Sequence, residues 1–229
     1  MKGTGRWTVQ EAAEQSVAAP TITASLDARY ISGRKEERIK ASQILVGPTE
    51  TPNVSKPQIV DDLEKALYCA KICSYAQGLG IIKAASAAND WNVDLASCAK
   101  MWKGGCIIRA KLLDIIQAAY GKDPNLDNLM IDPGFAKELN EGQMAWRRIV
   151  TLCIASGVAC PALGASLNYF DSYRREFLPA NLTQAQRDFF GGHTYERIDQ
   201  SGPHHCVWTR QHKEIGNLNE RSAGEQSRL

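Results

Sequence analysis

Residues 57–89, PQIVDDLEKALYCAKICSYAQGLGIIKAASAAN, decide the fold. Ile59, Leu63, Ala66, Leu67, Ala70 and Cys73 stand at i, i+4, i+7, i+8, i+11 and i+14, which is one face of an α-helix. Gly78, Gly80, Ala84, Ala85, Ala87 and Ala88 follow, small residues that let neighbouring helices come close. The stretch therefore predicts a long helix with an apolar face along its first half and a small-residue surface along its second.

Working outward, the same period recurs. Downstream, Val93–Trp102 leads into Gly104-Gly105 and a segment from Cys106 to Tyr120. A second long helix is expected from about Phe135 to Ser156, with Ala145, Ile149, Leu152 and Cys153 on its inner face. Cys160-Pro161 closes it, and a further helix through Leu167, Phe170 and Tyr173 stops near Pro179. Upstream, Thr8-Val9-Gln10-Glu11 reads as a capping box, and the Ala-rich run to Ala19 ends at Pro20, which can open the next helix. That helix stops at Gly33. A charged segment from Lys35 to Leu45 then precedes Gly47-Pro48 and a polar loop, Thr49–Lys56.

Nowhere does a period of two persist between hairpin turns. The expectation is an all-α domain over residues 1–210, with two long core helices, followed by a polar, aperiodic stretch, 211–229, that reads as a flexible tail.

Composition narrows the partners. Lys plus Arg is 27 against 25 for Asp plus Glu, a balance that argues against a nucleic-acid binder, which needs a basic excess. Charged residues interrupt every apolar run before it could span a bilayer, and the first residues carry no apolar secretory core, so no membrane or export role is expected. The seven cysteines are an odd number, and Cys69, Cys73, Cys98, Cys106, Cys153 and Cys160 sit in apolar helical patterns, so reduced, buried thiols are expected.

Three segments could carry chemistry. In Lys2-Gly3-Thr4-Gly5-Arg6-Trp7, two glycines free the backbone, while Lys2 and Thr4 offer an ammonium and a hydroxyl beside a helix start, where an anion is favoured. In Asp27-Ala28-Arg29-Tyr30, Arg29 can fork onto a phosphate or carboxylate. In Leu178–His193, Thr183 and Gln186 read as a second capping box, a short helix carries Arg187, Gly191-Gly192 ends it, and His193 turns back towards Arg187. On pattern alone each has a plain counterpart: a loose N-terminus, an Arg serving the helix dipole, a capped surface helix with an incidental His. Cys69 with Cys73, and His204-His205-Cys206, lack further ligands in register, so no metal site is expected. Arg147-Arg148 and Arg174-Arg175 read as solvated faces.

Taken together and in order, these blocks resemble one family. Residues 2–8, Lys-Gly-Thr-Gly-Arg-Trp-Thr, are similar to the signature loop of the decarboxylating 6-phosphogluconate dehydrogenases. Leu26–Tyr30 followed by Lys35–Arg38, then Met101–Ala110, then the run from Tyr169 to Tyr195, resemble its later blocks, so that the likeness covers residues 1 to about 210. The resemblance implies an enzyme that oxidises 6-phosphogluconate with NADP and releases carbon dioxide and ribulose 5-phosphate in the pentose phosphate pathway. It implies a helical C-terminal domain that forms a homodimer. It carries substrate contacts to Lys2, Thr4 and Arg29 from one subunit, and to Arg187 and His193 reaching the same substrate from the other.

Departures bound the expectation. The family's Gly-rich NADP-binding motif, in a Rossmann-type N-terminal domain, and its general-base lysine and general-acid glutamate have no counterpart in these 229 residues. The chain by itself is therefore expected to be inactive, and no cofactor contact transfers to a numbered residue. A helical dimerisation module without catalysis is the alternative. The expected compartment is the cytoplasm, with a peroxisomal alternative because Ser227-Arg228-Leu229 fits a relaxed Ser-Lys-Leu address.

Overall fold

Residues 56–88 form one unbroken helix, within a residue of the stretch that the apolar spacing marks out. A computed structural model describes residues 3–49, 52 and 54–208, and helices dominate them. In chain order these are α1 (Gly5–Glu14), α2 (Pro20–Ser32), α3 (Lys35–Ser42), α4 (Lys56–Ala88), α5 (Leu95–Met101), α6 (Leu112–Lys122), α7 (Pro133–Ala155), α8 (Pro161–Tyr173) and α9 (Asn181–Gly191). A 3-10 turn, Leu129–Ile131, precedes α7. Two-residue strands, β1 (Tyr195–Glu196) and β2 (Pro203–His204), pair antiparallel after α9, with Tyr195 opposite His204. The all-α expectation holds. Lys2, the stretch 211–229 and the terminal Ser227-Arg228-Leu229 lie outside the described residues.

Proline and short acidic or amide side chains set the helix starts. Pro20, Pro133 and Pro161 each take the first position of their helix, where the N–H they lack has no partner to lose. Asp94 accepts from the N–H groups of Ala96 and Ser97, and Asp132 from those of Gly134 and Phe135, satisfying donors that the helix leaves open. The two capping boxes expected from the sequence do not form. α1 begins at Gly5, one turn before the expected start, so Thr8 lies inside it and both its N–H and its hydroxyl donate to the Thr4 carbonyl. α9 likewise begins at Asn181, which puts Thr183 within its first turn.

The chain divides after Arg174 into two compact units. In the first, α7 packs along α4, and α8 and the 3-10 turn lie against the same helix. Trp146, Phe135, Ile72, Leu79, Leu113, Ile116, Leu129 and Leu139 are each less than 2 % exposed and form its centre. The tight contact between the long helices runs through a glycine. A Cβ at Gly142 of α7 would come 2.5 Å from the Cys69 sulfur of α4, too close to be accommodated without a shift.

The buried face of α4 differs from the expected one. Ala66, Cys69, Ile72, Cys73 and Ala76 are buried, while Leu63 and Leu67 are 39 % and 57 % exposed. At 100° per residue the core-facing stripe is turned by roughly a quarter revolution from the apolar stripe in the sequence. Asp62 explains part of this. Its carboxylate is buried because Arg148 forks onto it with two bonds of 2.7 Å, and Gln58 donates at 2.9 Å. The Arg148 guanidinium, more than any other group, holds that carboxyl below its ordinary pKa. Arg147 is also engaged: it pairs with Asp171, which Arg174 bonds as well. The solvated face expected for Arg147-Arg148 is thus a pair of interhelical clamps.

Candidate functional site

The first group of expected site residues lies where α1 meets α2. Helix α2 is fixed by a directed chain of hydrogen bonds buried beneath it. Gln77 of α4 accepts from the Thr21 N–H at 3.0 Å and donates to the Thr21 hydroxyl at 2.8 Å. Thr21 in turn faces the Ser166 hydroxyl of α8 at 2.8 Å, and Ser166 donates to the Ala162 carbonyl at 2.7 Å. Because the Ser166 proton is committed, Thr21 must be the donor to Ser166, so the side-chain polar atoms of Thr21, Gln77 and Ser166 all have partners. This polar spine joins α2, α4 and α8.

With α2 so held, Ile22, Ser25, Leu26, Arg29 and Tyr30 face the loop before α1. Together with Thr4 and Trp7 they line a cleft of about 570 Å³. Thr4 caps α1 with its backbone only, and its side chain makes no capping bond. The Ser25 hydroxyl is spent on the Thr21 carbonyl. Among the described residues Arg29 has no ion pair, so an unneutralised guanidinium stands in the same cleft as the Thr4 hydroxyl. Two of the three residues expected on this side are therefore brought together.

The second group lies in the second unit. Gly192, in the left-handed conformation at φ +62°, ends α9 as expected. Arg187 is on the exposed side of α9, one turn from its end, and His193 follows directly after the stop. What sequence reasoning missed is the residue between them. Asp188 is fully buried, and its carboxylate accepts from four donors: the Thr194 N–H at 3.0 Å, His205 Nδ1 at 2.7 Å, the Cys206 N–H at 2.9 Å and Trp208 Nε1 at 2.9 Å. Burial alone would raise its pKa. The donations from Cys206, His205 and Trp208 outweigh that and leave it below the ordinary carboxylate value. No signal in the sequence marks Asp188, since hydropathy would bury its neighbours Phe189 and Phe190, which are 57 % and 80 % exposed.

The rival clusters are accounted for by packing. Burial pushes the Cys69 thiol up to about 11 and the Cys73 thiol up to about 12, which keeps both protonated. His205 and Cys206 belong to the Asp188 network, and His204 is buried against the Tyr195 ring. Cys106 and Cys160 depart from expectation: both lie outside any helix, Cys106 is exposed, and Cys160, like Cys153, is only part-buried.

A family model described as "6-phosphogluconate dehydrogenase, C-terminal domain" matches residues 1–208. The chain belongs to that family. It is 57 % identical over 213 residues to 6-phosphogluconate dehydrogenase, decarboxylating 1, of Spinacia oleracea, a match that covers 91 % of this chain and 44 % of that protein. It is 51 % identical over 208 residues to the decarboxylating 6-phosphogluconate dehydrogenase of Synechococcus elongatus, covering 90 % of this chain and 44 % of that one. Its fold matches a Plasmodium falciparum 6-phosphogluconate dehydrogenase with a TM-score of 0.82 at 42 % identity, over 91 % of this chain and 45 % of the other. That protein's structure is described in its apo form, with the cofactor NADP+ and with the substrate 6-phosphogluconate. The chain thus spans less than half the length of these 6-phosphogluconate dehydrogenases. No helix among its described residues is long and apolar enough to cross a membrane.

Proposed function

We propose that this chain supplies the substrate-binding and dimerisation part of an NADP-dependent decarboxylating 6-phosphogluconate dehydrogenase. The reaction converts 6-phosphogluconate and NADP to ribulose 5-phosphate, carbon dioxide and NADPH. The observation that supports this reading is the cleft in which Thr4 stands with Arg29, which has no ion pair among the described residues. A substrate bearing a phosphate and a carboxylate needs several cations. An arginine supplies a two-pronged donor for either group, and the Thr4 hydroxyl adds a directional bond. Lys2 completes the set from the first subunit, and Arg187 and His193 reach the same substrate from a second copy. A shared site of this kind makes the homodimer a requirement for binding.

The described residues contain no strand–glycine turn–helix unit of the kind that cradles a dinucleotide pyrophosphate. They also lack a lysine–glutamate pair facing the Arg29 cleft that would serve as general base and acid. On this reading the 229-residue chain by itself binds substrate without turning it over. An assay of the purified chain with 6-phosphogluconate and NADP tests this: no NADPH above background is expected, and turnover would overturn it.

The second reading, a helical dimerisation module without substrate, draws on the exposed apolar side of α4, where Val60 and Leu67 are 56 % and 57 % exposed. Sedimentation showing a dimer, with no 6-phosphogluconate bound in calorimetry, would favour it. For localisation we propose the cytoplasm. A reporter carrying the last residues of the chain that gathers in peroxisomes would instead favour the peroxisomal alternative.

A further inference from the structure

Arg187 and His193 sit on different pieces of backbone, the end of a helix and the turn after it, yet one side chain ties the two pieces together. Gln184, one turn before Arg187 on α9, accepts from Arg187 Nη1 at 3.1 Å through its Oε1. Its Nε2 donates to the Thr194 carbonyl at 2.5 Å. The amide cannot flip without losing both bonds, because a guanidinium only donates and a carbonyl only accepts. Thr194 is held elsewhere too, since Asp188 accepts from its N–H and its hydroxyl donates to the His193 carbonyl. The turn residue is therefore pinned at both ends in a left-handed conformation, φ +61°. The His193 ring rests directly over Gly191, where a Cβ would come 2.9 Å from Nε2 and 3.1 Å from Cδ2.

We infer that Gln184 is a positioning residue that locks the Arg187 guanidinium and the His193 turn into one preorganised, anion-reading edge, with Gly191 as the seat of the His193 ring. This rests on the reading of Arg187 and His193 as substrate contacts. A guanidinium that is already oriented loses less rotamer freedom when it meets an anion, so preorganisation appears as affinity. Gln184 needs no contact with substrate to have this effect.

Three substitutions separate the parts. Gln184→Met removes both bonds at similar volume. Gln184→Glu keeps an acceptor for Arg187 and loses the donor to Thr194. Gly191→Ala displaces the His193 ring alone, since the ring can rotate away while alanine suits the helix. In the ¹⁵N-labelled 229-residue chain, without ligand, Gln184→Met is expected to lower the order of the Arg187 Nε–H and to move the His193 ring resonances. Gln184→Glu should leave Arg187 ordered and move His193, and Gly191→Ala should move His193 only. Calorimetry with 6-phosphogluconate should show binding about tenfold weaker in Gln184→Met, the factor expected for freeing one ordered side chain.

Arg187 and His193 signals unchanged in Gln184→Met would overturn the inference. Should that variant fail to fold, Gly191→Ala and Gln184→Glu decide by the same resonances. Arg187→Ala and His193→Ala, titrated alongside, keep the two ideas apart. If both bind 6-phosphogluconate as tightly as the parent, the substrate reading fails, whereas weaker binding in both with an unaltered Gln184→Met removes only the positioning role.

Discussion

The two units hold the residues proposed for the site by opposite means. In the first, Thr4 stands at the start of α1 and Arg29 on α2, beside a small apolar cluster of Ala12, Ala19 and Ile81 that is separate from the Trp146 and Phe135 centre. In the second, the described residues that are buried are Asp188 and His204, both polar, while Leu182, Phe190 and Ile198 are 77–87 % exposed. The cleft of the first unit is shaped by non-directional burial, with a short polar spine to set the pitch of α2. The turn after α9 in the second unit is held by directional bonds converging on one carboxylate. Packing tolerates small shifts, but a hydrogen-bond hub fails when its acceptor changes. The two halves of the expected site should therefore respond differently to substitution and to acid.

The largest effect is expected in the apolar unit. Trp146→Ala removes the largest fully buried side chain and should cost about 3–5 kcal/mol in chemical denaturation. A loss below 1 kcal/mol would mean that the centre is not where stability resides.

The counterpart in the second unit is Asp188→Asn. An amide oxygen accepts fewer of the four donors and carries no charge, so a cost of about 2–3 kcal/mol is expected. It should appear as faster amide exchange at Thr194 and Cys206, and unchanged exchange there would break the comparison. The acid dependence has a defined sign. The Asp188 pKa is lowered on folding, so its stabilisation is present above the ordinary carboxylate range and is lost as pH falls through the lowered value.

The smallest effect sharpens the same contrast. In the first unit Arg147, and after it Arg174, hold the Asp171 carboxyl down at about 2 against the opposing effect of burial. The Asp171 pair should therefore add about 1–2 kcal/mol at neutral pH, an amount that vanishes as pH falls from about 4 towards 2. Denaturation of the parent and Asp171→Asn at both ends of that range checks this. A stability gap that stays constant would contradict it.

How far the sequence alone reaches follows from the same physics. The long helices were legible because apolar and small residues recur at helical spacing through 57–89, and Pro20, Pro161 and Gly192 punctuate the chain as their backbone chemistry demands. Helix starts were less so, since a Thr followed three residues later by Glu or Gln also fits inside a first turn when a glycine or asparagine opens the helix one turn earlier. The orientation of α4 was misjudged because hydropathy places every aspartate outside, whereas Asp62 is drawn in by Arg148 across 86 residues of sequence. Asp188 escaped for the same reason. Arg29 and Arg187 are singled out as expected substrate contacts by a resemblance and not by periodicity, which gives an exposed arginine no distinguishing mark.

The central claim is that this chain presents the substrate-reading residues of a 6-phosphogluconate dehydrogenase. Its most direct test is a calorimetric titration of 6-phosphogluconate into the 229-residue chain and into its Arg29→Met variant. Saturable binding by the parent, weakened about tenfold or more by loss of the two-pronged donor, is the expected result. Equal binding by parent and variant, or none by the parent, would contradict it.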